Sequence, residues 1–354
     1  MMKDSLDTFL RSLTGLRQHV QNIGEKNNLL DIALGLPCAT SEIKDSIIRL
    51  QSVRSDEKQF DYTVIIISLY GQYETFVEQV IKEYLKELRI ANYHFSELPH
   101  KIQEGYFIKS AKLQTKTEWE KYSHIADKDI SKSLYDTLNL DIQNILPEAF
   151  FTNAGNYSMD ILASCLGELG IENLKQTLCK YPPLQSYYKS KYGNDININE
   201  KDDEIRYGLI DEVVETRNRI AHTGTVDEIK DSTYISDILG FFEVFAKSLN
   251  MFIQDCLIQI KWDIVSKPCF KPDNYFDSVN VVSFKGYSME LHIDQKYICK
   301  HSDGVYPQFD YSKILGIQYD KVDYTDFVLK DDYPDGVGVK INHKATRGCS
   351  FMFL

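Results

Sequence analysis

The sequence predicts an α+β protein: an all-α helical bundle with inserted helices, followed by a small antiparallel β domain. Three observations carry that expectation. Apolar residues recur at helical spacing through most of the first 260 positions, and two prolines interrupt the pattern at Ser266-Lys-Pro-Cys-Phe-Lys-Pro-Asp-Asn274. Beyond them the period becomes two, with Tyr287, Met289, Leu291 and Ile293 alternating against Ser288, Glu290 and His292. The expected organisation is a helical domain over 1–262 with a helical insert at about 91–182, a linker over 263–275, and a β-rich domain of unknown role over 276–354.

The helices follow in order. Leu6, Phe9, Leu10, Leu13, Leu16 and Val20 predict an amphipathic helix from residue 4 to about 34, stopped by Gly35 and Pro37. Ser41, followed by Glu42, reads as the N-cap of a short helix reaching Val53. Phe60 to Leu88 is the most apolar stretch, with Tyr73, Phe76, Val77, Val80, Ile81, Tyr84, Leu85 and Leu88 at helical spacing, and is expected to be the central helix. Between 91 and 182 the pattern is broken by Pro99, Gly105, Pro147, Gly155, Gly167 and Gly170, which predicts shorter helices. Residues 193–203 read as a loop. A helix is then expected from about Glu204 to His222 and another from Ser232 to about Ile260, which should pack against it. Short strands are expected around 279–284, 297–300, 314–319, 327–329, 337–341 and 350–353, with turns at Ser302-Asp-Gly304 and Tyr333-Pro-Asp-Gly336.

Composition narrows the function classes. The net charge of −12 argues against a protein that coats nucleic acid along its surface, because non-specific affinity depends on cations that neutralise phosphates. From Asp263 onward there are 11 basic and 13 acidic residues, so most of the acidity belongs to the helical part and any RNA contact must be local. The 7 cysteines include no C-x-x-C pair, which points away from a zinc site or a disulfide framework and towards reduced thiols in the cytosol. The first residues carry charges where a signal peptide needs its apolar core, and no apolar run approaches the ~18 residues of a membrane span. A cytoplasmic protein without a membrane partner is the expectation. There is no P-loop, no H-E-x-x-H and no G-x-S-x-G, and Gly336-Val-Gly338 lacks the third glycine of a dinucleotide fingerprint.

One stretch does suggest chemistry. Glu215-Thr-Arg-Asn-Arg-Ile-Ala-His222-Thr-Gly224 places Arg217, Asn218 and His222 at the end of a helix for which Gly224 is a natural C′ residue. On a helical wheel Ile205, Leu209, Ile210, Val213, Val214, Ile220 and Ala221 form an apolar face that includes Arg217, where a guanidinium needs a partner. Glu74, set among Ile67, Tyr70, Val77 and Ile81 on the central helix, is the expected one. Asn218 and His222, spaced i, i+4, are expected to pair. Arg217 and His222 point about 140° apart on an ideal helix. Either the helix ends or bends between them, or two chains build the site.

This run resembles the R-N-x-x-x-H signature of the HEPN superfamily, and Ser68-Leu-Tyr-Gly-Gln-Tyr-Glu-Thr-Phe-Val77 with Lys82-Glu-Tyr-Leu85 resembles the early helix of its RiboL-PSP type. The resemblance implies a metal-independent endoribonuclease acting as a homodimer whose composite active site is assembled from two facing motifs. It also implies a toxin or anti-phage role, an antitoxin or defence-system partner, and no cofactor or metal. Under it His222 does acid/base work, Arg217 binds phosphate and transition-state charge, Asn218 orients, and Glu74 holds Arg217. The alternative is a non-catalytic HEPN interaction module that dimerises and binds RNA or a protein partner. For RNA contacts the sequence offers Lys109, Lys112 and Lys116 as a stripe on one helix face. It also offers Lys180 to Tyr192, where Tyr187 and Tyr188 would stack bases and Lys189 and Lys191 would meet phosphates. Solvated lysines and a tyrosine-rich loop without an RNA role are the plain readings of those two segments.

Overall fold

A long apolar stripe organises the helical half of the chain. The computed structural model describes residues 4–34, 36, 40–151, 155–224, 226, 228–265, 267–302 and 304–354. Two compact units result, Met1–Asn250 and Met251–Leu354, and the division falls inside the last helix. Among the described residues there are ten α-helices followed by eleven short strands, the α+β arrangement expected.

In the first unit α1 (Asp4–Leu34) and α2 (Ser41–Ser52) precede the central α3 (Arg54–Ile90). The stops anticipated at Gly35 and Pro37 lie outside the described residues. The N-cap of α2 is Thr40 rather than Ser41: its hydroxyl accepts from the Ile43 amide, a better use of a hydroxyl than inside the helix. Thirteen residues of α3 are buried, from Tyr62 to Leu88, at the 3.6-residue period that its sequence shows. Phe9 of α1 stacks on Phe76 with ring centres 4.8 Å apart.

The interrupted stretch forms α4 (His100–Gln114), α5 (Asp127–Asn139), α6 (Met159–Gly167) and α7 (Leu174–Leu178), with a 3-10 turn before each of the first three. Their own core contains Tyr106, stacked on Phe150, together with Ile102, Ile130 and Phe151. Next come α8 (Pro182–Tyr192), α9 (Asp203–Thr223) and α10 (Ser232–Ile264). Ring contacts join Phe242 of α10 to Tyr73 of α3, and Phe241 to Tyr187 of α8. No helix among the described residues is long and apolar enough to cross a membrane.

The second unit holds β1 (Cys269–Phe270), β2 (Asn274–Phe276), β3 (Val281–Phe284), β4 (Met289–His292), β5 (Lys296–Lys300), β6 (Phe309–Lys313), β7 (Gly316–Tyr319), β8 (Val322–Tyr324), β9 (Asp326–Leu329), β10 (Val337–Lys340) and β11 (Ser350–Phe353). They form three antiparallel groups, β1-β11-β5-β6, β2-β3-β10-β7-β8 and β4-β9. All three contribute to one apolar core, through Phe351, Phe284 and Leu291 among others. The alternation at β4 is as read: Met289 and Leu291 are buried, Glu290 and His292 exposed. The segment expected as linker is partly strand, because Pro268 and Pro272 bracket β1, which pairs only on its β11 side. An edge strand tolerates such neighbours. Within this unit the end of α10 is drawn into the sheet, with Asp255 accepting from the Gln308 and Phe309 amides and Ile258 packing on Ile298 and Phe309. Ser266 and Asp303, named above in the linker and a turn, lie outside the described residues.

Candidate active site

The site begins with the shape of α9. The helix is continuous from Asp203 to Thr223 and closes on Gly224, whose positive φ of 71° carries the left-handed cap and whose amide bonds the Ile220 carbonyl. An end or break of the helix between Arg217 and His222 is therefore excluded, and on a regular helix the two side chains leave in different directions.

Arg217 is half-buried and held by groups of its own chain. One guanidinium nitrogen donates to Asn218 Oδ1 at 3.0 Å and to Asn156 Oδ1 at 3.3 Å, while the Cζ atom lies 4.7 Å from the centre of the Tyr70 ring. A tyrosine face attracts such a cation through its quadrupole. Tyr70 is fixed in turn: it is buried, and its hydroxyl accepts from the Tyr157 amide at 3.3 Å. Burial, then the charge of Glu74, raise the Tyr70 pKa, so the hydroxyl stays protonated. The segment that supplies Asn156 is held by a positive φ of 63° at that residue and by Met159, the first residue of α6, whose amide bonds Asp211 Oδ1 of α9 at 2.8 Å.

Glu74 does not pair with Arg217; no ion pair joins them among the described residues. The arginine instead takes the ring one turn earlier on α3. Ile67, expected beside Glu74 in the core, is 45% exposed, which puts that side of α3 at an edge. Burial raises the Glu74 carboxyl above the ordinary range; Lys121 opposes this, Glu78 adds to it, and Arg217 opposes it more weakly. Lys121 itself bonds Glu78.

His222 differs in every respect. It is exposed and has no hydrogen-bond or ion-pair partner among the described residues. No hydrogen bond joins Asn218 to it among the described residues; the Asn218 side-chain oxygen accepts from Arg217 instead. Ala221 and Ile205, assigned above to the apolar face, are exposed as well.

A protein-family comparison matches residues 39–255 to the RiboL-PSP-HEPN model. The chain belongs to the RiboL-PSP-HEPN family. The match covers more than half of the sequence and includes α3, the inserted helices and α9, so the helical unit carries a HEPN-type domain. No curated protein and no solved structure matches the chain.

Within the HEPN domain the segments anticipated for RNA are largely committed elsewhere. Lys109 bonds Glu168 and lies over the Phe150 ring. Lys116 falls beyond the end of α4, above Trp119, so the three lysines do not share one helix face. The tyrosine-rich segment is the helix α8, not a loop, started by prolines in the first turn where no amide is lost. Tyr188 is buried and donates its hydroxyl to the Arg206 carbonyl, which removes it as a stacking platform. Tyr187 donates to Asp237 at 3.1 Å and packs edge-on against Phe241, and Lys191 bonds the same carboxylate at 2.6 Å. Lys112 and Lys189 are exposed and carry no ion pair among the described residues.

Sequence reading missed Tyr70 and Asn156. Tyr70 stood out only as one more apolar residue of α3. Asn156 follows Gly155 in a turn-forming run, and asparagine tolerates positive φ. Nothing local to either residue announces a guanidinium.

Proposed function

We propose that this protein is a metal-independent HEPN endoribonuclease that cleaves RNA as a homodimer. The observation that carries the reading is the unbroken α9: a half-buried, hydrogen-bonded Arg217 and a His222 that is exposed and has no partner among the described residues sit on one continuous helix, which points them in different directions. A second copy of the motif facing the first would supply what one chain lacks.

In the reaction the 2′-oxygen of one ribose attacks the adjacent phosphorus, a new O2′–P bond forms, and the P–O5′ bond breaks. The products are a 2′,3′-cyclic phosphate and a 5′-hydroxyl. Arginine suits the phosphate because its charge is permanent and its donors are planar. Histidine suits the proton transfers because its reference pKa of about 6.5 lies near working pH. His222 is assigned to acid/base work, Arg217 to the developing phosphorane charge, and Asn218 to holding the guanidinium in place. Glu74 is a neighbouring charge rather than the holder of Arg217. Lys112 and Lys189 are the remaining candidates for phosphate contacts. By family analogy the cleavage serves as a toxin or anti-phage effector.

One observation favours a second reading, a non-catalytic HEPN interaction module. One nitrogen of the Arg217 guanidinium is already bonded to Asn156 and Asn218 and the group lies over the Tyr70 ring, as a structural residue's would. The deciding experiment incubates wild type and His222→Ala with total cellular RNA in EDTA and analyses the new ends. Cyclic-phosphate ends from wild type alone support the nuclease. Equal cleavage by both removes His222 from the mechanism, and no cleavage by well-folded wild type favours the interaction module.

A further inference from the structure

The β unit gathers sulfur, imidazole and carboxylate at one end of a sheet. Cys299 lies on β5 opposite Phe351 of β11 and is fully buried. Two residues on, His301 points to the same face, as strand alternation requires, and its amide extends the β5–β6 pairing by bonding the Gln308 carbonyl. Asp310 sits on β6 directly across from Cys299. His343 arrives from the segment that follows β10. The ligating atoms of Cys299, His301 and His343 lie within 4.8 Å of one another.

The two imidazoles are presented alike. His301 Nδ1 is 2.9 Å from Thr346 Oγ1, and its Nε2 is 2.7 Å from Asp310 Oδ2. His343 Nδ1 is 3.2 Å from Asn342 Oδ1 and from the Tyr297 hydroxyl. Its Nε2 lies 3.4 Å from the same Asp310 oxygen, is buried, and has no hydrogen-bond partner among the described residues. A buried nitrogen left in this state is costly and calls for an explanation. Both side chains are withdrawn from solvent, at 5% and 14% exposure.

We propose that Cys299, His301 and His343, with Asp310 as fourth donor, bind a divalent ion of the zinc class. One thiolate, two neutral imidazoles and one carboxylate are donors that such an ion accepts in tetrahedral geometry. Each histidine offers Nε2 to the ion while Nδ1–H is held by Thr346 or Asn342, the outer hydrogen bond that orients metal-bound imidazoles. Bonds of about 2.0–2.3 Å would set tetrahedral donors roughly 3.3–3.8 Å apart, so the ligating atoms of Cys299, His301 and His343 would draw in from separations of up to 4.8 Å, while the 2.7 Å between His301 Nε2 and Asp310 Oδ2 would widen to admit the ion. Four protein donors close the coordination sphere, so the ion is structural. It ties the 341–349 segment to β5 and β6. Cysteine spacing concealed the site, because the histidines lie 2 and 44 residues beyond Cys299 and sheet register brings them together.

The nearby Cys349 thiol provides the competing outcome, since it interacts with Cys299. The test uses the full-length chain, expressed with zinc and purified without chelator. Elemental analysis is expected to find about one zinc per chain, falling to about a tenth or less in Cys299→Ser and His343→Ala. Cobalt(II) added to the metal-stripped protein should give a sulfur-to-cobalt charge-transfer band that Cys299→Ser abolishes. Thr346→Val, which leaves all four donors in place, should weaken zinc affinity by about 10–100-fold. Circular dichroism establishes that each variant is folded. Folded wild type with less than about 0.1 zinc per chain and no cobalt band overturns the proposal. So does a Cys299–Cys349 crosslinked peptide in the purified protein.

Discussion

Arg217 and His222 lie five residues apart on one helix, yet the protein treats them in opposite ways. Arg217 is enclosed by Tyr70, Asn156 and Asn218, drawn from α3, the approach to α6 and α9 itself. His222 stands in the last turn, exposed and without a partner among the described residues. The contrast teaches that position in a motif does not decide how a residue is held. A phosphate-binding cation profits from a rigid cradle, because its geometry must be in place before the substrate arrives. On the proposed reading His222, which has no such cradle, would receive its surroundings from RNA or from a second chain.

That contrast can be broken by separating activity from stability. The largest effect is expected from His222→Ala: cleavage should fall by about 10²–10⁴-fold, while the thermal midpoint barely moves, since exposed substitutions usually stay within about 0.5 kcal/mol. A large loss of stability would show that His222 is held after all. Arg217→Ala should lower both quantities. Loss of its hydrogen bonds and of the ring contact should cost about 1–3 kcal/mol in chemical denaturation, with cleavage reduced by about 10²-fold or more. If stability is untouched, the cradle is not a real constraint.

Two smaller changes sharpen the picture. Tyr70→Phe keeps the ring beneath Arg217 and removes the hydroxyl that accepts from the Tyr157 amide. A loss of about 1 kcal/mol is expected, with cleavage retained; a large loss of cleavage would mean that the hydroxyl takes part in the reaction. Glu74→Gln should have the smallest effect, and it should depend on pH. Burial raises the Glu74 pKa above its unfolded value, so the folded state holds its proton over a window just above the ordinary carboxylate range. At neutral pH the ionised side chain carries the full burial cost and the glutamine variant should be slightly the more stable. The advantage should shrink as pH falls through that window and vanish below the ordinary range. Urea titrations at neutral and acid pH measure it, and a variant less stable at neutral pH would show that Glu74 is stabilised by Lys121 or Arg217 more than burial opposes it.

Much of this protein was legible from residue order. The period of α3 is written in thirteen buried residues, the end of α9 in Gly224, and the change to strands in the alternation at Met289 to His292. Local backbone preference and apolar periodicity act over a few residues, so a linear reading captures them. β1, β2, β6 and β8 escaped: three of them have only two or three residues, too short to show a period, and β6, with five, buries only Phe309 and shows no alternation. The R-N-x-x-x-H run was equally visible, and the family match includes it.

Who holds whom was decided by tertiary structure. Glu74 was the natural partner for Arg217 by charge, but packing offered the Tyr70 ring and Asn156 instead. Tyr188 and Lys191 read as a surface for RNA, and α8 turns one inward and ties the other to Asp237. Cys299, His301 and His343 showed no metal-ligand spacing, yet the register of β5 with β6 and the return of the chain after β10 place them together. The physical reason is common to all three cases. Periodicity determines which face of an element is apolar, whereas the partner of a buried charge, hydroxyl or imidazole is whatever polar group another element brings within about 3 Å.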